Sequence, residues 1–416
     1  MLVAVIADDV TGAADTGAQF ARAGYRTAVA FHGAPVPPAD DLDAVVVDTD
    51  SRLLAPADAA PRVAAAARAL RSVPLVYKKV DSTLRGPVAA EIAAVLHDGG
   101  RTRAVVAPAF PAAGRTTRGG VHHVDGTAEA DIARLLAAAG LGDAAVLSRD
   151  DIADPRRVAA AVAEHVCTIA DAEEEADLEA LVRGVPDPAG VLWVGSAGLA
   201  GALGALRPGP RSPAAHVEAA GPRVLAAIGT ATPTARAQVR RLAAVPDVTD
   251  VPLRLDLLAR GRDDEAVDAA VAAAAAALHA ACPAVVHTTA THDRADAAVA
   301  THLSHDRRVV AASSADLARR IPPALAAVAR RLAGDPGLDA LVLSGGTTAV
   351  HVARALGASG LLVEAELEPG VPVSRLLGPR PYPVVTKAGA FGDPATLVHA
   401  VAALGGRLEV RTAGAA

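Results

Sequence analysis

The sequence predicts an α/β fold of two domains, each a mostly parallel sheet flanked by helices, with the active site in the interdomain cleft. Three observations carry this. Short apolar runs of strand length alternate with Ala/Leu/Arg segments of helical length almost throughout, the signature of repeated βα units. The chain has 416 residues, 52% of them hydrophobic, enough for at least two cores at roughly 100–200 residues per domain. A stretch rich in Pro and small residues, Arg207-Pro208-Gly209-Pro210-Arg211-Ser212-Pro213 followed by Ala219-Ala220-Gly221-Pro222, breaks the alternation as linkers do. The expected domains are therefore 1–206 and 223–416, with a linker at 207–222.

In order, the first domain is expected to place strands at 2–7, 27–31, 44–48, 75–80, 104–107, 144–147 and 191–194, with helices between most of them. The second repeats the pattern at 224–228, 284–287, 340–343, 361–364 and 384–386. Each run is apolar, short and followed by turn-forming or polar residues. In open parallel sheets ligands bind beyond the carboxyl ends of the strands, so chemistry is sought in the loops that follow them.

Composition excludes several function classes. Forty Lys and Arg stand against 46 Asp and Glu, a net charge of -6, which provides no field for a polyanion; a nucleic-acid partner is not expected. Cys167 and Cys282 are too few and too far apart for a disulfide framework or a zinc site, which suits a reducing cytoplasm. Met1 to Ala7 has no basic residue and meets Asp8 and Asp9 at once, unlike a signal peptide. The longest apolar stretch, near 269–278, is about half a membrane span, so no membrane partner is expected.

The polar residues gather at strand ends. After the first strand comes Asp8-Asp9-Val10-Thr11-Gly12-Ala13-Ala14-Asp15. One aspartate suits the cap of the following helix; the surplus carboxylate is placed to bind sugar hydroxyls, accept a proton or hold a metal through water. After the fourth strand, Lys78-Lys79-Val80-Asp81-Ser82-Thr83-Leu84-Arg85-Gly86 is the densest polar cluster in the chain. Lys79 and Arg85 suit a carboxylate clamp, Ser82 and Thr83 suit hydroxyls, and Asp81 suits the proton of a substrate alcohol. A small polyhydroxy acid matches that set. Arg115, Thr116 and Arg118 on a glycine-rich segment suit an anion or hydroxyls. His122-His123-x-Asp125 is a weak metal pattern, because adjacent histidines rarely converge on one ion.

In the second domain three strand ends open into small, hydroxyl-rich turns: Gly229-Thr230-Ala231-Thr232, Ser344-Gly345-Gly346-Thr347-Thr348 and Lys387-Ala388-Gly389-Ala390-Phe391-Gly392. Such turns let backbone N–H groups approach phosphate at a helix start. Only three lysines occur among the 40 basic residues, and Lys387 at the last turn is assigned to phosphate charge. No Walker A motif, no Gly-x-Gly-x-x-Gly after a strand and no Gly-x-Ser-x-Gly elbow is present, and Asp8-Asp9 lacks the Asp-x-Asp spacing of haloacid-dehalogenase-like phosphatases.

These motifs resemble the four-carbon acid sugar kinases, the family of erythronate, threonate and 3-oxo-tetronate kinases. The resemblance spans nearly the whole chain and rests on Ala7 to Asp15, Lys78 to Gly86, Ala107-Pro108-Ala109-Phe110-Pro111 with Gly114-Arg115, and Ser344 to Thr348. It implies an amino-terminal sugar-acid domain, a carboxyl-terminal ATP domain, Mg2+ with the nucleotide, and transfer to the C4 hydroxyl. By position it implies substrate contacts from Asp8, Asp9, Asp15, Lys79, Asp81, Ser82, Arg85 and Arg115, and ATP contacts from Thr230, Gly345, Gly346, Thr347, Thr348 and Gly389. Two turns depart from the family: Thr347 stands where an acidic residue is usual, and Ala388 and Ala390 stand where the last turn usually reads Ser and Gly. Asp81 is the favoured proton acceptor, with Asp8 or Asp9 in reserve. The alternatives are a nucleotide-independent sugar-acid phosphatase, lyase or isomerase, and a catalytically inactive sugar-acid-binding protein.

Overall fold

The computed structural model describes residues 1–37, 41–211, 219–288 and 307–405, with side chains for all of these except 307–315. The chain divides into two compact units, Met1–Ala214 with Leu362–Ala365, and Ala215–Leu361 with Glu366–Ala416. Of the expected linker, 212–218 lies outside the described residues.

The first unit runs β1 (Val3–Ala7), α1 (Val10–Arg22), β2 (Thr27–Ala30), β3 (Ala44–Asp48), α2 (Pro56–Leu70), β4 (Leu75–Lys79), α3 (Val88–Asp98) and β5 (Ala104–Ala107). It continues through β6 (Arg115–Arg118), β7 (Val121–Val124), β8 (Thr127–Asp131), β9 (Ala144–Leu147), β10 (Cys167–Ala170) and β11 (Leu192–Gly195). Its main sheet has the order β2-β3-β1-β4-β11-β5-β10-β9, and every pairing in it is parallel. A parallel sheet is covered on both faces, which is why β1, β4 and β11 are buried along their whole length. On one face Ile6, Val76 and Val194 meet Val63 and Leu70 of α2 and Ile92 of α3 in a single apolar cluster. Truncating Ile92 to Ala there costs about 2–5 kcal/mol.

The second unit contains β12 (Val224–Ile228), α4 (Pro233–Ala243), β13 (Thr249–Pro252), α5 (Asp263–His279), β14 (Ala284–His287) and α6 (Arg307–Gly334). There follow β15 (Ala340–Ser344), α7 (Gly346–Ala355), β16 (Gly360–Glu368), β17 (Val371–Leu377), β18 (Pro383–Lys387) and α8 (Thr396–Gly405). The strands β13-β14-β12-β15-β18 are parallel, and β17 joins β18 antiparallel.

The α/β class and mostly parallel sheets agree with the sequence reading. Several strands were not expected. The glycine-rich segment bearing Arg115, Thr116 and Arg118 and the residues that follow it to Asp131 form a three-stranded antiparallel sheet of β6, β7 and β8; its strands are short and polar, so no apolar period marks them. β10 escapes notice because Cys167-Thr168-Ile169-Ala170 is four residues long with a threonine inside, and β13 because Thr249-Asp250-Val251-Pro252 is a polar edge strand. The apolar stretch 269–278 lies within α5, and among the described residues no helix is long and apolar enough to cross a membrane.

Candidate active site: two sets of strand ends

In the first unit, β3, β1 and β4 are neighbours, and the register sets Ala7 level with both Asp48 and Lys79. The three strands therefore end at one height, and the residues after them meet. After β1 come Asp8 and Asp9, after β3 come Thr49 to Arg52, and after β4 come Val80 to Arg85.

Asp9 is the cap of α1: its Oδ1 accepts from the Gly12 N–H at 2.8 Å, leaving Asp8 as the surplus carboxylate. Asp8 is 2% exposed and takes a two-pronged grip from Arg52, with Nε to Oδ2 at 2.7 Å and Nη2 to Oδ1 at 2.9 Å. The same guanidinium lies 2.7 Å from Asp9 Oδ1 and 3.5 Å from Asp81 Oδ1. Arg52 is thus the hub of three carboxylates. Asp81 in turn accepts from Arg85 Nε at 2.6 Å and Nη2 at 2.9 Å, and from Thr83 Oγ1 at 2.5 Å. Lys79, 3% exposed, closes the cluster beside the start of α1. A Cβ at Gly12 would fall 2.9 Å from Lys79 Nζ and 2.8 Å from Asp9 Oδ1, so only glycine lets the ammonium approach this closely.

Electrostatics follow from this packing. Burial by itself would raise the Asp8 carboxyl, but Arg52 outweighs it, with help from Lys78 and Lys79, and holds Asp8 below the usual carboxylate value. Burial likewise opposes ionisation of Asp81, yet hydrogen bonds from Arg85 and Thr83 and the charges of Arg52 and Lys79 hold it far below that range. Arg52 is pulled down by burial and more strongly up by Asp8, Asp9 and Asp81, so it stays cationic. Asp48 is the contrast. Burial, with Asp9 and Asp50 nearby, pushes it up to about 7 despite the Asp50 N–H donating to its Oδ1.

The remaining predicted residues of this unit are distributed around the cluster. Asp15 lies buried in α1, where its charge adds to burial in raising the Tyr77 phenol. Ser82 is buried, and its carbonyl accepts from His122 Nε2 at 2.9 Å; that bond assigns the ring proton to Nε2. Burial lowers the His122 pKa, so the ring is a neutral tie between the three-stranded sheet and the Ser82 turn. Arg115 lies in β6, with Nη1 3.7 Å from Asp125 Oδ1. His123 instead has Nδ1 2.9 Å from the Val121 carbonyl. The two histidines do not converge, and among the described residues no group of three or more His, Cys, Asp or Glu could hold a metal ion.

The second unit repeats the principle. β12, β15 and β18 are neighbours, with Ile228 level with Ser344 and Ser344 level with Lys387. The three hydroxyl-rich turns leave this edge together and are knitted by backbone: Gly229 N donates to the Ser344 carbonyl at 3.2 Å, and Gly345 N to the Lys387 carbonyl at 3.0 Å. Thr232 caps α4 and donates to the Gly389 carbonyl at 2.7 Å. A Cβ at Gly389 would fall 2.4 Å from Thr230 Oγ1, so that turn also depends on a missing side chain. Gly346 opens α7, Thr347 is exposed and Thr348 buried. Lys387 is 1% exposed, with Nζ donating to the Ala388 carbonyl at 2.8 Å; burial pushes it down to about 8, against a smaller raising effect of Glu368. Two helix starts and one ammonium at a shared edge suit a phosphate chain.

Three groups were missed in the sequence. Arg52 follows Asp48-Thr49-Asp50-Ser51 at a strand end that was itself recognised, so the same signal of polar residues after a strand would have found it. Glu91 occupies an apolar stripe with Val88, Ile92 and Val95, where a glutamate is out of pattern. Gln238 is fully buried in α4 and donates from Nε2 to the carbonyls of Phe391 at 3.0 Å and Asp393 at 2.8 Å.

Comparison with known proteins finds a family match in each half of the chain. Residues 3–203 match the family described as sugar-binding N-terminal domain, and residues 225–397 the nucleotide-binding C-terminal domain. A D-threonate kinase of Bordetella bronchiseptica is 36% identical over 431 residues, covering 97% of each chain. A D-erythronate kinase of Heliobacterium modesticaldum is 32% identical, covering 94% of each, and a 3-oxo-tetronate kinase of Methylobacterium radiotolerans is 33% identical, covering 93% of this chain and 95% of the relative. A crystal structure from Salmonella typhimurium LT2 shares the fold at a TM-score of 0.80 and 21% identity, covering 96% of this chain and 98% of that one. By these relatives and its strand-end motifs, the chain belongs to the four-carbon acid sugar kinase family.

Proposed function

We propose that the protein is a cytoplasmic, Mg-ATP-dependent kinase that phosphorylates the C4 hydroxyl of a four-carbon sugar acid, with D-threonate the first substrate to test. The observation that supports it most is the Arg52 cluster, which assembles Arg52, Arg85 and Lys79 with Asp8, Asp9 and Asp81 at one sheet edge. Cations for a carboxylate and anions for hydroxyls are what a small sugar acid requires. D-threonate comes first because relatives of that name match at 36, 35 and 31% identity.

Arg85 is 69% exposed along its side chain and is the cation freest to turn to a substrate carboxylate. That turn takes from Asp81 the strongest hydrogen bonds holding it ionised and leaves its oxygens for the C4 hydroxyl. Asp81 remains a weak base. Phosphoryl transfer tolerates this, because its loose transition state asks mainly for positioning and charge stabilisation, and the hydroxyl becomes acidic as the new P–O bond forms. Asp8 and Asp9, fixed by Arg52, are assigned to substrate hydroxyls, together with Ser82, Asp15 and Arg115 around them. Thr230, Gly345, Gly346, Thr347, Thr348, Gly389 and Lys387 are assigned to ATP, whose Mg2+ arrives with the nucleotide.

The test is coupled ADP release with Mg-ATP against both enantiomers of threonate and erythronate and their 3-oxo forms. Acceptor-dependent turnover on one member is expected, and Asp81→Asn should lower kcat about 10²–10⁴-fold, the usual worth of a general base. Silence across the panel from a folded protein contradicts the proposal, and a fully active Asp81→Asn removes Asp81 from its role.

A further inference from the structure

Beside the Arg52 cluster lies a second polar assembly whose side chains bond to one another and to backbone carbonyls, and to none of the side chains assigned to substrate. Lys78 and Glu91 are 0% and 1% exposed and form an ion pair of 2.8 Å, Nζ to Oε2. Lys78 Nζ also donates to the Lys79 carbonyl at 2.7 Å and, at 3.4 Å, to the Ile6 carbonyl. Glu91 Oε1 accepts from Ser51 Oγ at 2.5 Å, and Ser51 Oγ lies 2.7 Å from Thr49 Oγ1, which donates to the Ala7 carbonyl at 2.8 Å. Ser51 and Thr49 are themselves buried. One ion pair thus reaches the ends of β1, β3 and β4, the three strands that deliver Asp8 and Asp9, Arg52, and Asp81.

A buried ion pair is a poor way to add stability, since desolvation consumes much of its attraction and an apolar pair of similar volume often serves as well or better. Its value lies in geometry: charge and hydrogen bonds accept one arrangement where apolar packing accepts several. Here the arrangement that is enforced is the exit of the Thr49 to Arg52 segment, one residue before the guanidinium that three carboxylates share.

We infer that the Lys78–Glu91–Ser51 assembly is a positioning device that sets the Arg52 guanidinium for sugar-acid binding. Lys78, Glu91 and Ser51 touch no substrate; they act through Arg52. The inference rests on the sugar-acid reading for its kinetic consequence, but its structural content, that these side chains hold residues 49–52 in place, does not.

The experiment compares wild type with Ser51→Ala, Glu91→Gln and the apolar double variant Lys78→Met/Glu91→Leu, each at a temperature where circular dichroism shows it folded. Steady-state kinetics with D-threonate and ATP are read beside amide hydrogen exchange over 49–53. Losing a hydrogen bond to a charged group corresponds to about tenfold or more, so Ser51→Ala and the double variant should lose about that factor in kcat/KM for the sugar acid while the KM for ATP stays put. Exchange over 49–53 should quicken in both. Glu91→Gln, with one amide oxygen for the two donors Lys78 Nζ and Ser51 Oγ, should lose sugar-acid kcat/KM by a similar factor of about ten. A purely structural ion pair would lower the melting temperature and leave sugar-acid kinetics and exchange over 49–53 as in wild type, and that result overturns the inference. If wild type turns over no sugar acid, the functional reading fails separately, and unchanged exchange in Ser51→Ala and the double variant still overturns the positioning role.

Discussion

Arg52 gathers Asp8, Asp9 and Asp81 within 3.5 Å, and Lys387 is the corresponding single charge at the other set of strand ends. The two are tuned in opposite senses. Arginine stays charged in any surroundings, so Arg52 can be buried among carboxylates without risk of losing its proton. Lysine yields to burial, and Lys387 is pushed down to about 8. The sign of the consequence is fixed: below about pH 8 the ammonium is charged, as its proposed phosphate role requires, and above it the free enzyme loses that charge. The kcat/KM for ATP should therefore fall as pH rises through about 8, while Lys387→Arg, charged throughout, should show no such fall. A pH profile of kcat/KM with respect to ATP, taken from 6.5 to about 9.5, reads the free-enzyme ionisation directly; an identical fall in Lys387→Arg assigns it elsewhere. For stability the depressed value has the reverse effect. The folded state binds its proton less readily than the unfolded chain, so the cost of the buried charge is present in full below about pH 8 and relieved between there and the ordinary lysine value of 10.5.

At the scale of elements, the turn after β18 is held less by its own sequence than by α4. Gln238 satisfies the carbonyls of Phe391 and Asp393, and Thr232 satisfies that of Gly389. Gln238→Leu removes one donor from each of the Phe391 and Asp393 carbonyls, the second of which keeps the Thr396 N–H at 3.2 Å, at about 0.5–1.5 kcal/mol for each bond lost. A rise of about tenfold in the KM for ATP, with the sugar-acid KM unchanged, is expected from that loss of order; equal kinetics for both substrates would show the turn to be self-supporting. The three-stranded sheet plays the same part in the first unit, where neutral His122 grips the Ser82 carbonyl. What was legible at this scale was uneven. The capping role of an aspartate at Asp8-Asp9 could be read from the letters, because an acidic residue before a helix has one common use. Which of the two caps α1 could not, since both carry the same group and only the backbone path after Ala7 separates them. Asp81 was legible as a polar residue at a strand end, but its capture by Arg85 and Thr83 was not, because that depends on how the turn from Ser82 to Gly86 coils.

For the molecule as a whole, the alternation of apolar runs with helical segments was enough to read an α/β class with mostly parallel sheets, and strand-end clusters were enough to point to residues that the structure brings to shared sheet edges. Strand order was beyond reach. Placing β11 between β4 and β5, and β18 beside β15, depends on long-range pairing that no local pattern encodes. It is this order that sets Ala7 level with Lys79 and Ser344 level with Lys387. Arg52 and Glu91 each carried a signal in the sequence, but that Arg52 gathers Asp8, Asp9 and Asp81, and that Glu91 joins Lys78 to Ser51, became visible only once β3, β1 and β4 were known to be neighbours. At the altered turns of Thr347, Ala388 and Ala390 the bonds between strand ends are present, with Gly345 N donating to the Lys387 carbonyl and Thr232 to that of Gly389.

The proposed reaction delivers a phosphoryl group to the terminal hydroxyl of a four-carbon acid. The direct measurement is proton-coupled phosphorus NMR of the product formed from Mg-ATP and D-threonate, or from whichever acid of the panel turns over. A C4 ester places phosphorus beside a carbon bearing two protons, so a new triplet is predicted, growing as ADP grows. A doublet, from an ester at C2 or C3, a singlet, from an acyl phosphate, or no new phosphorus signal from any acid of the panel would contradict the account.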